Sequence, residues 1–360
     1  MRMYRNFKMV PRLVFGRGAF NQLGKILEDR RGPQGSAMIF LVDDVFKTGA
    51  LAGRIPAGPR DLTLWVNVDD EPKTAYVDHL TELARRNAER TGSAPAGVVG
   101  IGGGSTLDLA KAVSLMLTNR GSSADYQGWD LIQNPAVYHV GVPTLSGTGA
   151  EVSRTTVLTG PEKKLVINSD FTVFDQLVLD PELIADVPAT QRFYTGMDCY
   201  IHCVESLAGN FCNPFSRACA EKALDLCKSV FLDEPADRDA DLMMASFLGG
   251  LSIAWSQVGV CHALSYGLSF ELGLHHGIGN CVVFDYLEAY YPEGVADFRR
   301  MQAKHGVELP RQLTADLADA RIERMVDVAL VLEPLWEHAL GSGWKSVMTR
   351  EKIRALYLRM

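Results

Sequence analysis

The sequence has no cysteine before Cys199, and its seven cysteines all fall between there and Cys281 with no Cys-x-x-Cys pair. An odd, unpaired set excludes a complete disulfide framework, and reduced, mostly buried thiols are expected. Long hydrophobic runs are missing too. Ala37 to Val42 is typical of the longest, far short of the roughly 20 residues that span a bilayer. No apolar signal-peptide core follows the opening Met-Arg-Met-Tyr-Arg-Asn-Phe-Lys, so a cytoplasmic protein with no membrane partner is expected. Positive charge is scarce, with 36 Lys and Arg against 43 Asp and Glu and a net charge of −7. That argues against nucleic acid or an anionic membrane as partner, because both select basic surfaces. A small anionic ligand needs only a local basic pocket and stays open. There is no internal repeat and no low-complexity segment.

What is present reads as a two-domain globular chain of 360 residues, 47% hydrophobic and 22% charged. The first half alternates short apolar runs with helical spacing. Strands are expected at Arg12–Phe15, Met38–Val42, Leu62–Val68, Gly97–Ile101, Tyr138–Val142 and Leu177–Leu179. Helices are expected over Ala19–Leu27, Ala75–Asn87 and Ser105–Leu117, and Asn119–Pro135 reads as a surface excursion. Such alternation implies a parallel sheet covered by helices. After Asp180-Pro181 helical patterns dominate. The expected fold is therefore an α/β dinucleotide-binding domain over residues 1–182 and an all-α metal and substrate domain over 183–360. The cleft between two such domains is a natural ligand site.

Two loops carry cofactor signals. Gly102-Gly103-Gly104-Ser105-Thr106-Leu107-Asp108 joins a strand to a helix, where close backbone approach and free N–H groups suit a phosphate. Ser105 and Asp108 match a capping box. The strict dinucleotide fingerprint is not met, because its third glycine position holds Leu107. Pro143-Thr144-Leu145-Ser146-Gly147-Thr148-Gly149 follows the next strand, and Thr144, Ser146 and Thr148 suit ribose and phosphate contacts. Asp44 ends the second strand and could bond a ribose diol, favouring NAD over NADP, with Asp43 as its competitor.

Asp198 and His202 lie four apart on one helical face and can share an ion. His262 and His276 are fourteen apart, about 21 Å on one straight helix. Gly267, Gly273 and Gly277 interrupt that stretch, so the second histidine can come from a following loop or helix start. Three imidazoles and a carboxylate suit zinc or iron(II). His275 rivals His276, whereas His79, His139, His305 and His338 fit no comparable pattern. Trp255, Gln257 and Tyr266, near His262, suit a polyhydroxylated substrate. Arg154, Arg192 and Arg217 are candidates to grip a substrate carboxylate.

In order and spacing, Gly102-Gly103-Gly104-Ser105-x-x-Asp108-x-Ala110-Lys111, Pro143-Thr144-x-x-Gly147-Thr148-Gly149-x-Glu151-Val152, Gly196-Met197-Asp198-x-x-x-His202, His262 and His276-Gly277 resemble the iron-containing alcohol dehydrogenases. The resemblance implies a dehydroquinate synthase-like fold, an iron(II) site with zinc as the alternative, NAD, and a cofactor contact from Lys164. It implies alcohol oxidation by an ion acting as Lewis acid and a nicotinamide accepting hydride. It also implies a homodimer. Arg5-Asn6-Phe7-Lys8, Ser122–Asp130, Tyr194–Ser206 and Trp255–His262 are most similar to a branch that oxidises the terminal alcohol of a sugar acid, 3-deoxy-D-manno-octulosonate. A downstream aminotransferase would then be a partner. Tyr266 departs from relatives that carry a histidine four residues after the third ligand, and Ser256–His262 looks shortened. A general polyol dehydrogenase, a dehydroquinate synthase-like lyase, an oxidase using dioxygen and a non-catalytic binding protein are the competing readings.

Overall fold

A computed structural model describes residues 8–360 apart from Gln34, Asp70, Lys163 and Glu234. Arg5, Asn6 and Phe7 of the family likeness lie outside the described residues. By contacts the chain forms two compact units, Met1–Leu145 with Ala150–Asp186, and Ser146–Gly149 with Val187–Met360. The main boundary thus falls after Asp186 rather than Glu182, and a four-residue piece of the second glycine loop joins the helical unit.

In the first unit a six-stranded sheet is built from β1 (Leu13–Phe15), β2 (Met38–Asp43), β3 (Leu62–Val66), β4 (Gly97–Gly102), β6 (His139–Pro143) and β9 (Gln176–Leu179), with β5 (Gly128–Trp129) elsewhere. Its order is β1-β9-β6-β4-β2-β3, and every neighbouring pair is parallel. Helices α1 (Leu23–Arg31), α2 (Thr74–Thr91) and α3 (Gly104–Met116) connect these strands. Buried Met38, Phe40, Val42, Val99, Ile101, Val140, Val142 and Val178 pack with Phe20, Leu23 and Leu27 in one core. These strands read as continuous apolar runs because a parallel sheet is covered on both faces. From β2 the chain steps to β3 on one side and then, through α2, crosses back to β4 on the other side of β2, so the carboxyl ends of β2 and β4 flank a topological switch point.

A second sheet was not anticipated from the sequence. Strands β7 (Thr155–Thr159) and β8 (Lys164–Asn168) form an antiparallel hairpin, and β5 joins β8 in parallel. The hairpin follows the second glycine loop, and its alternation of half-buried and buried residues in β7 is the period-two signal of a strand.

The second unit is helical among its described residues. It contains α4 (Ala189–Ala208), α5 (Pro214–Leu232), α6 (Arg238–Trp255), α7 (Val260–Leu272), α8 (His276–Asp285), α9 (Pro292–His305), α10 (Asp319–Leu330), α11 (Glu333–Leu340), α12 (Trp344–Val347) and α13 (Arg350–Tyr357). Helix α4 packs against α5, α6 and α8. Among the described residues no single helix is long and apolar enough to cross a membrane.

Two buried carboxylates fasten the first unit. Asp180 accepts from the backbone N–H groups of Gly18, Phe20 and Glu182, each at 3.0 Å, and so ties the chain after β1 to the chain after β9. Asp61 receives both prongs of Arg31, at 2.5 and 2.6 Å, and the N–H groups of Met38 and Gly58 at 2.8 and 2.6 Å. Burial raises the Asp61 carboxyl, but Arg31 and the two amides outweigh it and hold it below the usual range. Its contribution is therefore complete above the ordinary carboxylate value near 3.9 and is lost as pH falls through the lower folded value. Asp61→Ala should destabilise the α/β unit by about 3 kcal/mol at pH 7, read as a lower urea midpoint. The gap from wild type should narrow below about pH 4. An equal gap at pH 7 and pH 3 would contradict the ion-pair account.

Candidate metal centre and cofactor loops

Asp198 and His202 stand one turn apart on α4. His262 lies in the first turn of α7, which stops at Gly273, and His276 is the first residue of α8. The fourteen-residue gap is thus closed by a helix–turn–helix. One ligand atom from each of the four residues lies within 4.8 Å of all the others. The Nε2 atoms of His202, His262 and His276 are 3.6, 3.5 and 3.6 Å from Asp198 Oδ1. The His202 and His262 rings stack with centroids 4.7 Å apart. Asp198, His202 and His262 are buried, whereas the His276 side chain is 27% exposed and marks the open side. His275 caps α8 from an exposed position and is not in the cluster.

The electrostatics of this cluster ask for a cation. Burial pushes the Asp198 carboxyl up, but His202, His276 and His262 outweigh it and hold the carboxyl well below the usual range. Burial pushes His202 down to about 4. It would push His262 down too, but Glu205 and Asp198 carry that ring up to about 9. Asp198 Oδ2 is buried with no partner. A buried carboxylate oxygen without a donor costs free energy that a bound cation offsets. The four residues fit a divalent metal of the zinc or iron(II) kind.

Two residues of this centre escaped the sequence reading. Asn280 Nδ2 donates to Asp198 Oδ1 at 2.6 Å and lies 3.0 and 3.1 Å from Nε2 of His262 and His276. Glu205 is buried with its Oε2 2.5 Å from His262 Nδ1. Spacing could have found both. Asn280 is four residues after His276, and Glu205 extends the face of Asp198 and His202 by three.

The substrate candidates divide. The Tyr266 ring lies 5.9 Å from the His276 ring. Trp255 instead stacks on Phe215, with centroids 5.0 Å apart, and Gln257 Oε1 accepts from Val258 N. The three arginines already have carboxylate partners. Arg154 donates to Asp170 and Asp130 at 3.0 and 2.7 Å. Arg192 pairs with Asp239 at 2.6 Å and Arg217 with Glu221 at 3.3 Å. Each guanidinium already holds a protein carboxylate, which competes with the role of gripping a substrate carboxylate.

In the α/β unit the carboxyl ends of β4 and β6 lie side by side, and Thr144 N donates to Gly102 O at 2.9 Å. The capping box expected at Ser105 and Asp108 does not form. Gly103 is the N-cap of α3 with no side-chain cap, and Asp108 Oδ2 accepts from Val157 N of β7 at 3.0 Å. Burial raises the Asp108 carboxyl to about 7 against the pull of Lys111. The Lys111 ammonium donates to the carbonyls of Ala150, Ser153 and Thr155, so this pair fastens the end of the second loop and the hairpin to α3. A capping box does occur at Ser122 and Asp125. The first-turn amides of α3 are thus left without a side-chain cap, and Thr106 Oγ1 beside them is buried without a partner. That cradle fits a phosphate.

The remaining cofactor candidates are placed as follows. Asp43, not Asp44, caps the turn after β2 by accepting from Val45 N, which leaves Asp44 with Asn67 Nδ2 at 3.4 Å. Lys164 Nζ is buried 3.2 Å from Glu71 Oε2. In the loop piece that belongs to the helical unit, Ser146 Oγ is buried without a partner. Gly147 has a structural reason to be glycine: its φ is +153°, and a Cβ would collide with the Thr195 carbonyl oxygen. Its N–H donates to Ser246 Oγ.

The chain matches the family described as iron-containing alcohol dehydrogenase over residues 11–181 and the Fe-containing alcohol dehydrogenase family, C-terminal, over residues 192–340. Sulfoacetaldehyde reductase of Bilophila wadsworthia (strain 3_1_6) is 30% identical over 334 residues, 86% of this chain and 83% of that protein. The chain belongs to the iron-containing alcohol dehydrogenase family. It is accordingly an oxidoreductase acting on CH–OH groups, in a family that uses iron and NAD. NAD-dependent methanol dehydrogenase of Bacillus methanolicus is 29% identical, covering 79% of this chain and 75% of the relative. Among solved structures, a 1,3-propanediol oxidoreductase superposes with a TM-score of 0.84 at 22% identity over 99% of both chains. Sulfoacetaldehyde reductase from Bifidobacterium kashiwanohense in complex with NAD+ gives 0.80 at 23%, over 99% of this chain and 98% of that one. These confirm the family fold, a parallel α/β unit followed by a helical unit.

His276→Ala removes the one part-exposed ligand and leaves the buried Glu205–His262 contact in place. Its affinity for iron(II) or zinc should fall by more than the tenfold to roughly hundredfold loss typical of an outer-shell partner, with helical circular dichroism unchanged. Stoichiometric metal after dialysis against a chelator would contradict the assignment.

Proposed function

We propose that this protein oxidises the terminal hydroxyl of 3-deoxy-D-manno-octulosonate to an aldehyde, as 3-deoxy-D-manno-octulosonate 8-oxidase does, with NAD accepting the hydride. The observation that carries the alcohol chemistry is the convergence of Asp198 Oδ1 and three imidazole Nε2 atoms beside the part-exposed His276. A bound ion would supply Lewis acidity toward an alcohol, and a bound nicotinamide would supply the hydride acceptor. The chain's own residues do the rest. Asp198, His202, His262 and His276 hold the ion. His276 opens the site toward substrate, and the Tyr266 ring beside it shapes that approach. The uncapped first turn of α3, from Gly104 and Ser105, takes the cofactor phosphates together with Gly102 and Gly103, while Thr144, Ser146, Thr148 and Lys164 supply further cofactor contacts. Asp44 accepts from the ribose diol, which favours NAD over NADP. No nucleophilic side chain is required.

The sugar-acid substrate is supported by the similarity of Ser122–Asp130, Tyr194–Ser206 and Trp255–His262 to that branch of the family, and an aldehyde product suits a following amination in the cytoplasm. Sulfoacetaldehyde reduction is the second reading, favoured by the 30% identity to an enzyme of that name. The two separate in one assay. Iron-loaded protein is incubated with the sugar acid, with and without NAD and with and without oxygen, and the aldehyde is trapped as a hydrazone. Parallel reactions contain 1,3-propanediol with NAD, or sulfoacetaldehyde with NADH. NAD-dependent C8 aldehyde, exceeding diol turnover, is the expected result. Aldehyde formed only with oxygen would replace NAD as acceptor. No aldehyde from the sugar acid, with turnover of sulfoacetaldehyde or the diol, would overturn the substrate.

A further inference from the structure

Glu205 extends the metal-bearing face of α4. It follows His202 by three residues and Asp198 by seven, so all three project to one side of the helix. Its carboxylate is buried and fully engaged. Oε2 lies 2.5 Å from His262 Nδ1, and Oε1 accepts from Cys261 N at 2.6 Å and from the Tyr291 hydroxyl at 3.4 Å. The Glu205 backbone is held as well, its carbonyl facing His338 Nε2 at 3.0 Å. The surrounding packing leaves no slack. A Cβ on Gly259 would meet Tyr291 Oη at 2.8 Å and Glu205 Oε1 at 3.2 Å.

We infer that Glu205 is a positioning residue that sets the tautomer of His262 and so keeps the Nε2 lone pair available to the metal. This rests on reading the quartet as a metal site. An ionised carboxylate only accepts, so the ring nitrogen facing it must carry the proton. With Nδ1 protonated, the lone pair of the neutral ring is on Nε2, the atom 3.5 Å from Asp198 Oδ1. Carboxylates that orient ligand histidines in this way also raise the ligand's basicity.

The arrangement makes glutamine an unusually poor substitute. In Glu205→Gln the new side-chain amide offers an acceptor oxygen at one end and a donor NH2 at the other. Two donors, Cys261 N–H and the Tyr291 hydroxyl, converge on the Oε1 position, so the amide oxygen settles there. The NH2 group then faces His262 Nδ1, which must accept. The ring proton is driven to Nε2, and the metal-facing lone pair is lost. Glu205→Asp has the opposite character. It loses a methylene and some packing, yet remains acceptor-only and reaches Nδ1 through a water.

The test measures zinc and iron(II) affinity by chelator competition for wild type, Glu205→Gln and Glu205→Asp, beside urea unfolding of each metal-free protein. Glu205→Gln should bind metal about a hundredfold more weakly than wild type, at the upper end for outer-shell partners, and Glu205→Asp about tenfold more weakly. The metal-free stabilities should run the other way, because glutamine conserves the packing. Metal affinity that simply follows stability, with Gln better than Asp, would overturn the inference while leaving the metal site standing. A wild type that binds no metal would overturn both. Nitrogen-15 NMR of histidine-labelled, zinc-loaded wild type needs no variant to fold. A far-downfield proton on His262 Nδ1 is expected, and a proton on Nε2 would contradict the inference.

Discussion

One buried carboxylate oxygen sets the terms for the helical unit. Asp198 Oδ1 sits among three imidazole nitrogens at 3.5 to 3.6 Å, on a residue with no solvent exposure. Bringing those groups together requires three helices to converge, with α7 stopping at Gly273 so that α8 can begin on His276. Unmatched lone pairs in so dry a place are costly. Asn280 meets part of that demand by donating to Asp198 Oδ1, and a cation meets it more fully. The outer contacts follow from the same need. Glu205 fixes His262, Tyr291 and Cys261 fix Glu205, and His338 meets the Glu205 carbonyl. The centre is thus a chain of constraints running from α4 to α11.

The α/β unit solves a different problem with related means. Its loops carry many backbone donors, and carboxylates gather them. Asp180 takes three amides, Asp61 takes two amides and a guanidinium, and Asp108 reaches a hairpin strand. Because Asp108 and Lys111 hold the end of the second loop and the hairpin to α3, the helix can present its first turn without a cap of its own. The same motif therefore serves the fold at its downstream end and leaves an uncapped helix start at its upstream end.

Much of this was legible in the sequence. The alternation of apolar runs with helical spacing exposed the parallel sheet, and the i,i+4 spacing of Asp198 and His202 with the glycines after His262 pointed to the four side chains that the fold gathers. What was not legible depended on partners far along the chain. Nothing local at Ser105 and Asp108 shows that Asp108 bonds to Val157, 49 residues away. Arg154 is committed by Asp130 and Asp170, and Lys164 by Glu71. Gly147 reads as a phosphate-loop glycine until Thr195 is seen against it. Glu205 and Asn280 lay on the correct helical faces, but a face says only where a side chain points and not that a histidine nitrogen waits there.

One carboxylate and three imidazoles, and none of the seven cysteines of the same unit, are proposed to bind the ion. X-ray absorption at the iron K-edge of protein reconstituted with one equivalent of iron(II) tests this most directly. A shell of nitrogen and oxygen only is expected, at about 2.0 to 2.2 Å by analogy with ordinary imidazole and carboxylate ligation, with more distant scattering from three imidazole rings. A sulfur shell near about 2.3 Å, or a spectrum without imidazole scattering, would contradict it.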